Sequence, residues 1–364
     1  MKILILTRYS RLGASSRLRF YQFIPRFEEA GIRCVVQPLL NDRYLGEFYA
    51  GKRISRGNLL RGYLATFRRL LGARHYDLIV IEKEIFPFLP AWAEWWLNRL
   101  RIPFIADYDD AIFHNYDLSP HPLVRLFLGR KIARVMHRAE AVVCGNEYLA
   151  AYARRAGVRR VIVLPTVIDT GKYLPRSVLP QGRVVIGWIG SPTSLKYLLA
   201  LKPVLSSLVS RYPICIHIVG GAGGIGLGDA EKVLVWSEAT EVEVISGFDI
   251  GIMPLEDSPW ERGKCGYKLI QYMGCGLPVV GSPVGVNEAI ILEGVNGFKP
   301  GNAKAWEDAL ERLIGDAGLR ERLGHSGRKL VEERYSLDGA TAQWLQELND
   351  HNHVRDIRNH TLSH

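Results

Sequence analysis

Cysteine is scarce in this chain: five residues in 364, at positions 34, 144, 215, 265 and 275, with no CxxC pair. An odd, scattered set argues against a disulfide framework and predicts reduced, mostly buried thiols in a cytosolic protein. Long uncharged runs are missing too. None approaches the ~20 residues of a membrane span, and MKILILTRYS is too short an apolar run for a signal peptide and reads as a first strand. The expectation is a soluble protein, or one that at most sits on a membrane face. Acidic residues are in deficit, 37 against 47 Lys and Arg, which gives a net charge of +10 and a pI near 9.4. That balance favours anionic partners: a phosphorylated substrate, nucleic acid or an acidic membrane surface. No Ser-His-Asp or Cys-His constellation is recognisable, so no strong protein nucleophile is expected. The histidines of the tail NDHNHVRDIRNHTLSH are irregularly spaced, which argues against a metal site there. Length predicts two domains, and 48% hydrophobic residues suffice for a core in each.

What is present is organised around residues 256–289, EDSPWERGKCGYKLIQYMGCGLPVVGSPVGVNEA. The strand-like DIGIMPL leads in, a polar loop with Pro259, Trp260 and Gly263 follows, and Cys265 to Met273 reads as a short helix. Leu269, Tyr272 and Met273 give it one apolar face. Gly274 and Gly276 stop it before the next strand. Lys264 at the helix mouth and Lys268 one turn on make an anion site, because a helix N-terminus offers unpaired N–H groups and about half a positive charge. The alternative is two solvated lysines. Their position after the carboxyl end of a buried strand, where open α/β sheets bind ligands, favours the first reading.

The rest of the chain alternates strands and helices. KILILT (2–7) reads as a strand buried on both faces, followed by a glycine turn and a helix to about Ala30. Ser15 or Ser16 can cap that helix, and its loop carries Arg8, Arg11, Arg17 and Arg19. Strands follow at 33–39, 77–83, 102–110, 141–146 and 161–169. Residues 165–182 hold three prolines and two glycines without periodicity and read as a linker. Strands then recur at 184–190, 214–221, 232–236, 249–255 and 277–283, with helices near 303–314, 318–334 and 337–349. This is the pattern of two doubly wound parallel sheets. Residues 53–74 form a basic amphipathic helix with a stripe of Leu59, Leu60, Tyr63, Leu64, Phe67 and Leu71. Core packing is its first reading, and contact with an anionic membrane interface its second. The tail 351–364 has no core pattern and is expected to be disordered.

GAGGIG (221–226) matches a dinucleotide fingerprint but lies on a second strand with no long helix after it, against NAD binding. Asp107-Tyr108-Asp109 is a D-x-D that could hold a divalent metal, a use that two Rossmann-like halves argue against. With Asp110 and His114 close by, the cluster is the best acid/base candidate of the first half.

GKCGYKLIQYMGCGLPVVGSPVGVNE closely resembles the donor-binding segment of family 4 glycosyltransferases, retaining enzymes of the GT-B fold. GWIGSP (187–192), DIGIMPL (249–255), WSEATEVE (236–243), RLGASSRLR and DYDDAIFH are similar to a branch linked to bacterial surface polysaccharides. The resemblance runs to about residue 348. It implies two Rossmann-like domains facing each other across a cleft: an acceptor-side domain 1–164, the linker 165–182 and a donor domain 183–336. A helix 337–350 would pack back towards the first domain.

Carried over residue by residue, the family's phosphate-binding Lys matches Lys196, while its Arg position holds Ser191. Lys264 and Lys268 would supply the missing charge. Of the family's two glutamates, the second matches Gln271 and the first falls at Gly263, with Glu261 as a substitute. Trp236 lies where the nucleotide base is recognised, to stack on it or simply to pack in the core. Asp109, Asp110 and His114 would orient acceptor or sugar, and Gly13, Ser16, Arg17 and Arg19 would line the cleft opposite the donor.

The implied reaction is metal-independent and uses no cofactor, only a nucleotide-diphosphate sugar as co-substrate and a glycan or lipid-linked acceptor. It is placed in the cytoplasm, with peripheral contact at the inner face of the plasma membrane left open and no nucleic acid partner. Two rivals remain: a sugar-nucleotide epimerase of the same build, and a catalytically weak sugar-nucleotide-binding protein.

Overall fold

The computed structural model describes residues 1–175, 182–221 and 223–362. The chain divides into two compact units. The first comprises residues 1–166, 263–265 and the segment from Ala340 on, and the second 167–262 and 266–339.

The first unit is built on six parallel strands: β1 (Lys2–Tyr9), β2 (Arg33–Leu40), β3 (Leu78–Glu82), β4 (Phe104–Tyr108), β5 (Ala141–Cys144) and β6 (Val161–Val163). Their order is β2-β1-β3-β4-β5-β6, so the winding reverses between β1 and β3. Ile5 of β1 sits between Val36 and Val80, a register that buries the apolar run on both faces. The first helix is not continuous as the sequence suggested. It is a short turn Ala14–Ser16, a π-turn Arg17–Tyr21 and a helix Ile24–Glu29. The extra residue of the π-turn re-aims its side chains, and Arg17 and Arg19 are buried.

Helix Arg56–Leu71 also departs from expectation. It is capped by Ser55, whose hydroxyl accepts from the Asn58 N–H. It lies on β2 at Gly62, where a Cβ would come 2.0 Å from the Leu39 carbonyl oxygen. The face turned inward carries Asn58, Thr66 and Leu70. The apolar stripe points out, with Leu60 60% and Leu71 61% exposed. Core packing is therefore the wrong reading of most of that stripe. The C-terminal helix runs from Leu337 to Leu362, through most of the segment expected to be disordered. It is held by Trp344, edge-on to Phe27 at 6.4 Å, and by buried His351, 3.1 Å from Glu140.

The second unit has β7 (Val184–Ile189), β8 (Ile214–Val219), β9 (Glu231–Leu234), β10 (Ile250–Met253), β11 (Val279–Gly281) and β12 (Gly297–Phe298). All are parallel, ordered β12-β11-β10-β7-β8-β9, with the reversal between β7 and β10. Strand β12 is too short to be read from sequence. Ile186 and Trp188 form its core with Leu198, Leu201 and Leu205 of helix Leu195–Arg211. GAGGIG leads into a 3-10 turn (Gly228–Ala230) and β9. The Glu231 carboxylate accepts from the N–H groups of Ile225 (2.9 Å) and Gly226 (3.2 Å), the donors a phosphate would need.

The described part of the expected linker is ordered. Ile168 bridges to Ser336, and Arg328 donates to the carbonyls of Thr170 (2.9 Å), Gly274 (2.6 Å) and Tyr173. Positions 176–181 of that linker lie outside the described residues.

Candidate active site

At the carboxyl end of β7 the chain turns at Gly190. A Cβ there would lie 2.5 Å from the Trp188 ring and 2.6 Å from the Ser194 hydroxyl, so only glycine fits. Gly220, at the end of β8 with φ +74°, approaches the Gly190 carbonyl equally closely. The result is bare backbone at the point where the strand order reverses. Ser191 follows, exposed, with its hydroxyl bonded to Thr193 at 2.9 Å. Lys196 opens helix Leu195–Arg211, exposed, its ammonium 4.8 Å from the Tyr197 ring centre.

The organising helix spans Tyr267–Gly274, two residues later than its sequence suggested. Gly266 precedes it with φ +66°, a left-handed conformation that ends the loop and starts the helix. Tyr272 fixes the helix: its hydroxyl accepts from the Ile189 N–H at 2.9 Å, and its ring fills the space left by Gly251. This register sets Lys268 over the Trp188 ring, 4.5 Å from its centre. Lys264 is not on the helix. It groups with the first unit, its carbonyl held by the Asn146 amide at 3.0 Å, and its charge only partly opposes the upward shift that burial gives the Asp110 carboxyl.

Three expected donor-binding residues are already bonded within the protein. Buried Glu261 accepts from the hydroxyls of Tyr197 and Ser258. Gln271, also buried, donates its amide to Tyr173 at 3.0 Å. Trp236 donates its indole N–H to Glu241 at 2.6 Å while Tyr173 donates to the same carboxylate, so Trp236 and Gln271 are tied into one network. Gly263 lies where a Cβ would meet that of Ala111 at 2.4 Å. A larger side chain at that position would have to displace Ala111.

In the first unit the carboxyl ends of β1, β3 and β4 converge on a buried ionic cluster. Gly13 lets the β1 loop fold back onto Tyr9, and Ser16 donates to Glu82 at 2.5 Å. Arg19 makes two parallel bonds to Asp107, 2.9 and 2.6 Å, and donates to the Leu164 carbonyl. It is thus a buried strut, whereas the sequence suggested an open anion-facing loop. Lys83 bonds Asp109 at 2.8 Å and Asp110 at 3.3 Å. Burial opposes its charge, but the surrounding Asp109, Asp110 and Glu82 outweigh that and raise its pKa. Burial likewise works against the Asp109 anion, and Lys83 with the Ser15 hydroxyl overrides it, holding that carboxyl below its usual range. Asp110 goes the other way, raised by burial although Lys83 opposes it, and its side chain is 35% exposed. His114 bonds Asp117 (2.8 Å) and the Tyr148 hydroxyl (2.9 Å) through its two ring nitrogens.

Sequence reading places Lys83 and Asn146 at strand ends without a role and does not single out Lys131 or Glu241. Lys131 is buried on Glu84 and the Phe86 carbonyl. Only the positive φ of Lys83 (67°) marks it, and that is invisible in sequence. Among the described residues no group of three or more His, Cys, Asp and Glu is arranged to hold a metal ion. Two cavities, about 480 Å³ beside Arg68 and His75 and about 240 Å³ beside Arg320 and His325, lie away from these side chains.

Residues 8–166 match the family described as Glycosyl transferase 4-like domain, and residues 183–316 match Glycosyl transferases group 1. The chain belongs to the family 4 glycosyltransferases of the GT-B fold. Among its relatives, CapM of Staphylococcus aureus, a capsular polysaccharide biosynthesis glycosyltransferase, is 28% identical over 160 residues, 42% of each chain. TuaH of Bacillus subtilis, named for teichuronic acid biosynthesis, is 24% identical over 208 residues, 51% of each. The chain thus spans about half the length or less of the curated relatives it matches. The Anabaena protein HepE, solved in complex with UDP-glucose, superposes with a TM-score of 0.72 at 17% identity, covering 96% of this chain and 100% of that one.

Proposed function

We propose that this glycosyltransferase moves a sugar from a nucleotide-diphosphate donor to a glycan or lipid-linked acceptor, with retention and without a metal ion. Bacterial surface-polysaccharide synthesis is the setting, as for the named relatives. The observation that carries it is the bare backbone of Gly190 and Gly220 at the strand-order reversal of the second sheet, flanked by Lys196 and Lys268. Cleaving a sugar–diphosphate bond leaves negative charge on the departing phosphate, and cations held beside it stabilise it in the transition state. The departing phosphate oxygen then takes the proton of the incoming hydroxyl, so no protein nucleophile is needed. Asp110, the half-buried carboxylate of the ionic cluster, is the group suited to orient that hydroxyl. His114 serves it less well, since both ring nitrogens are engaged. Arginines 56, 61 and 68 on helix Arg56–Leu71, around its outward stripe, favour a place on an anionic membrane face.

Thermal stabilisation by a panel of nucleoside diphosphates tests the reading, since a ligand at 100 times its Kd adds about 2.7 kcal/mol. The matching nucleotide sugar should then be turned over, with Lys268→Ala and Lys264→Ala each losing roughly 10- to 150-fold in kcat/KM. Turnover within about twofold of wild type in both variants removes these roles. One observation favours a second reading, a weak or inactive nucleotide-sugar binder: Glu261 and Gln271 are already bonded to Tyr197 and Tyr173. Tight nucleotide binding with neither transfer nor hydrolysis would select it. The epimerase alternative has no support from the family match.

A further inference from the structure

Three consecutive charged residues stand at the carboxyl end of β3, Glu82, Lys83 and Glu84, and all three are buried. A three-residue turn parts them: the Glu84 N–H donates to the Glu82 carbonyl at 2.8 Å, with Lys83 between them at φ +67°. Such a turn is rare and strained for a residue that carries a side chain. Its effect is to send each charge to a different partner. Glu82 accepts from the Ser16 hydroxyl at 2.5 Å and the Arg8 N–H at 2.7 Å. Glu84 takes Tyr116 at 2.7 Å and Lys131. Lys83 turns to the end of β4.

An ammonium has three protons to give, and Lys83 has a partner for each: Asp109 at 2.8 Å, Asp110 at 3.3 Å and the Ser15 hydroxyl at 3.2 Å. None is left for a phosphate, so this lysine does not share the work proposed for Lys268. Neutralising buried Asp109 accounts for one of the three bonds. Asp110 has less need of a counter-charge, since its side chain is 35% exposed against 12% for Asp109, and a carboxylate in contact with water gains little from an ion pair. The strained turn nevertheless carries the cation to both.

We propose that Lys83 is a positioning residue for transfer: it holds the Asp110 carboxylate in place to accept a hydrogen bond from the incoming hydroxyl. This rests on the reading of Asp110 as the group that orients the acceptor. Besides Lys83, Lys264 favours the Asp110 anion, while burial and Asp109 oppose it. The Cys265 thiol completes the surroundings, donating to the Asp109 carbonyl at 3.0 Å. Two neighbouring carboxylates keep both charges only where a cation bridges them, and Lys83 is bonded to both.

The test is a double-mutant cycle on the full chain, read as release of nucleoside diphosphate from the nucleotide sugar that the stabilisation screen selects, with water as the probe acceptor. Lys83→Met and Asp110→Asn are each expected to lose roughly 10- to 150-fold in kcat/KM. The double variant should lose no more than about twofold beyond Asp110→Asn alone. The acid limb of kcat/KM should also move to higher pH in Lys83→Met, because the Asp109–Asp110 pair without its cation takes up a proton sooner as pH falls. A merely structural lysine would lower the amount of folded enzyme and leave that limb in place. Additive losses, or an unmoved limb, overturn the proposal and leave the role of Asp110 standing. Asp110→Asn at wild-type turnover instead strikes the acceptor reading, and the proposal falls with it. Should Lys83→Met fail to fold, the same cycle in an Asp109→Asn background, which removes the buried anion left without its cation, reads the same coupling.

Discussion

The two units share one architecture and use the crest of their sheets in opposite ways. In the first, strand order β2-β1-β3 puts the reversal between β1 and β3, and that crevice is filled by the protein's own charges: Glu82, Lys83, Asp109 and, beside them, the Arg19–Asp107 pair. In the second, β10-β7-β8 puts the reversal beside Gly190, with Gly220 close to it, and the cations Lys196 and Lys268 lie over aromatic rings. The crevice at which open α/β sheets bind ligands is thus filled by the protein's own ion pairs in one unit and bordered by glycine backbone in the other. A charge neutralised inside the fold contributes to structure. The cations of the second crevice are the ones proposed to meet a phosphate.

The largest expected effect breaks the filled crevice. Arg19→Ala leaves the Asp107 carboxylate buried without its cation and should cost about 3–5 kcal/mol in denaturant unfolding. Lys268→Ala, its counterpart in the second unit, should cost only about 0.5–1 kcal/mol, the worth of a partly exposed cation over a ring, yet lose most turnover. Equal stability losses in the two variants would erase the contrast.

Next in size is a steric test. Gly263→Glu, at the position where the sequence resemblance places an acid, drives a Cβ to 2.4 Å from Ala111 Cβ and 2.8 Å from its amide nitrogen. A loss of about 1–3 kcal/mol is expected, partly recovered by adding Ala111→Gly, which removes the first clash and leaves the second. A stable single variant with raised turnover would show that the loop relaxes and that the departure is historical accident. Smaller still is Glu241→Gln, which weakens the bonds to Trp236 and Tyr173. It should reduce nucleoside diphosphate affinity by roughly 2- to 10-fold, one hydrogen bond's worth, with the unfolding midpoint little changed. Titration calorimetry reads the first and denaturant melts the second.

What could be read from the sequence follows the same division. Two parallel sheets were legible because buried strands such as KILILT and VVIGWIG carry their pattern in a few consecutive residues. Lys268 was legible as a cation one turn into the helix after β10, whereas GWIGSP (187–192) entered only through its resemblance to a family, and the close approach at Gly190 came only with the structure. The filled crevice was not. Whether Arg19 meets solvent or Asp107 depends on a π-turn that rotates it inward and on a partner 88 residues away, and neither leaves a periodic trace. The stripe of helix Arg56–Leu71 was misread for a related reason. Its polar Asn58 and Thr66 are the buried residues, so hydrophobic periodicity pointed at the wrong face. The tail, polar and irregular, gave no sign of continuing the helix anchored by Trp344 and His351.

Acid should divide the two units, with the smallest effect of the set. Burial raises the carboxyls of Glu82 and Glu94 above the ordinary 4.5. For an acid so raised, the folded state takes up a proton before the unfolded state does. Stability of the first unit therefore rises as pH falls through those raised values and levels off near 4.5. His217 on β8 is shifted the opposite way, lowered from 6.5 by burial and by Lys232, with Asp249 opposing. There the unfolded state binds the proton first, so the second unit loses stability as pH falls through 6.5, until the folded imidazole also charges. Hydrogen exchange followed peptide by peptide between pH 7 and 5, corrected for intrinsic rates, should show protection growing in β3 and shrinking in β8. His217→Gln should flatten the second slope and leave the first. Parallel slopes in both units would mean that burial of these three groups does not govern the response to acid.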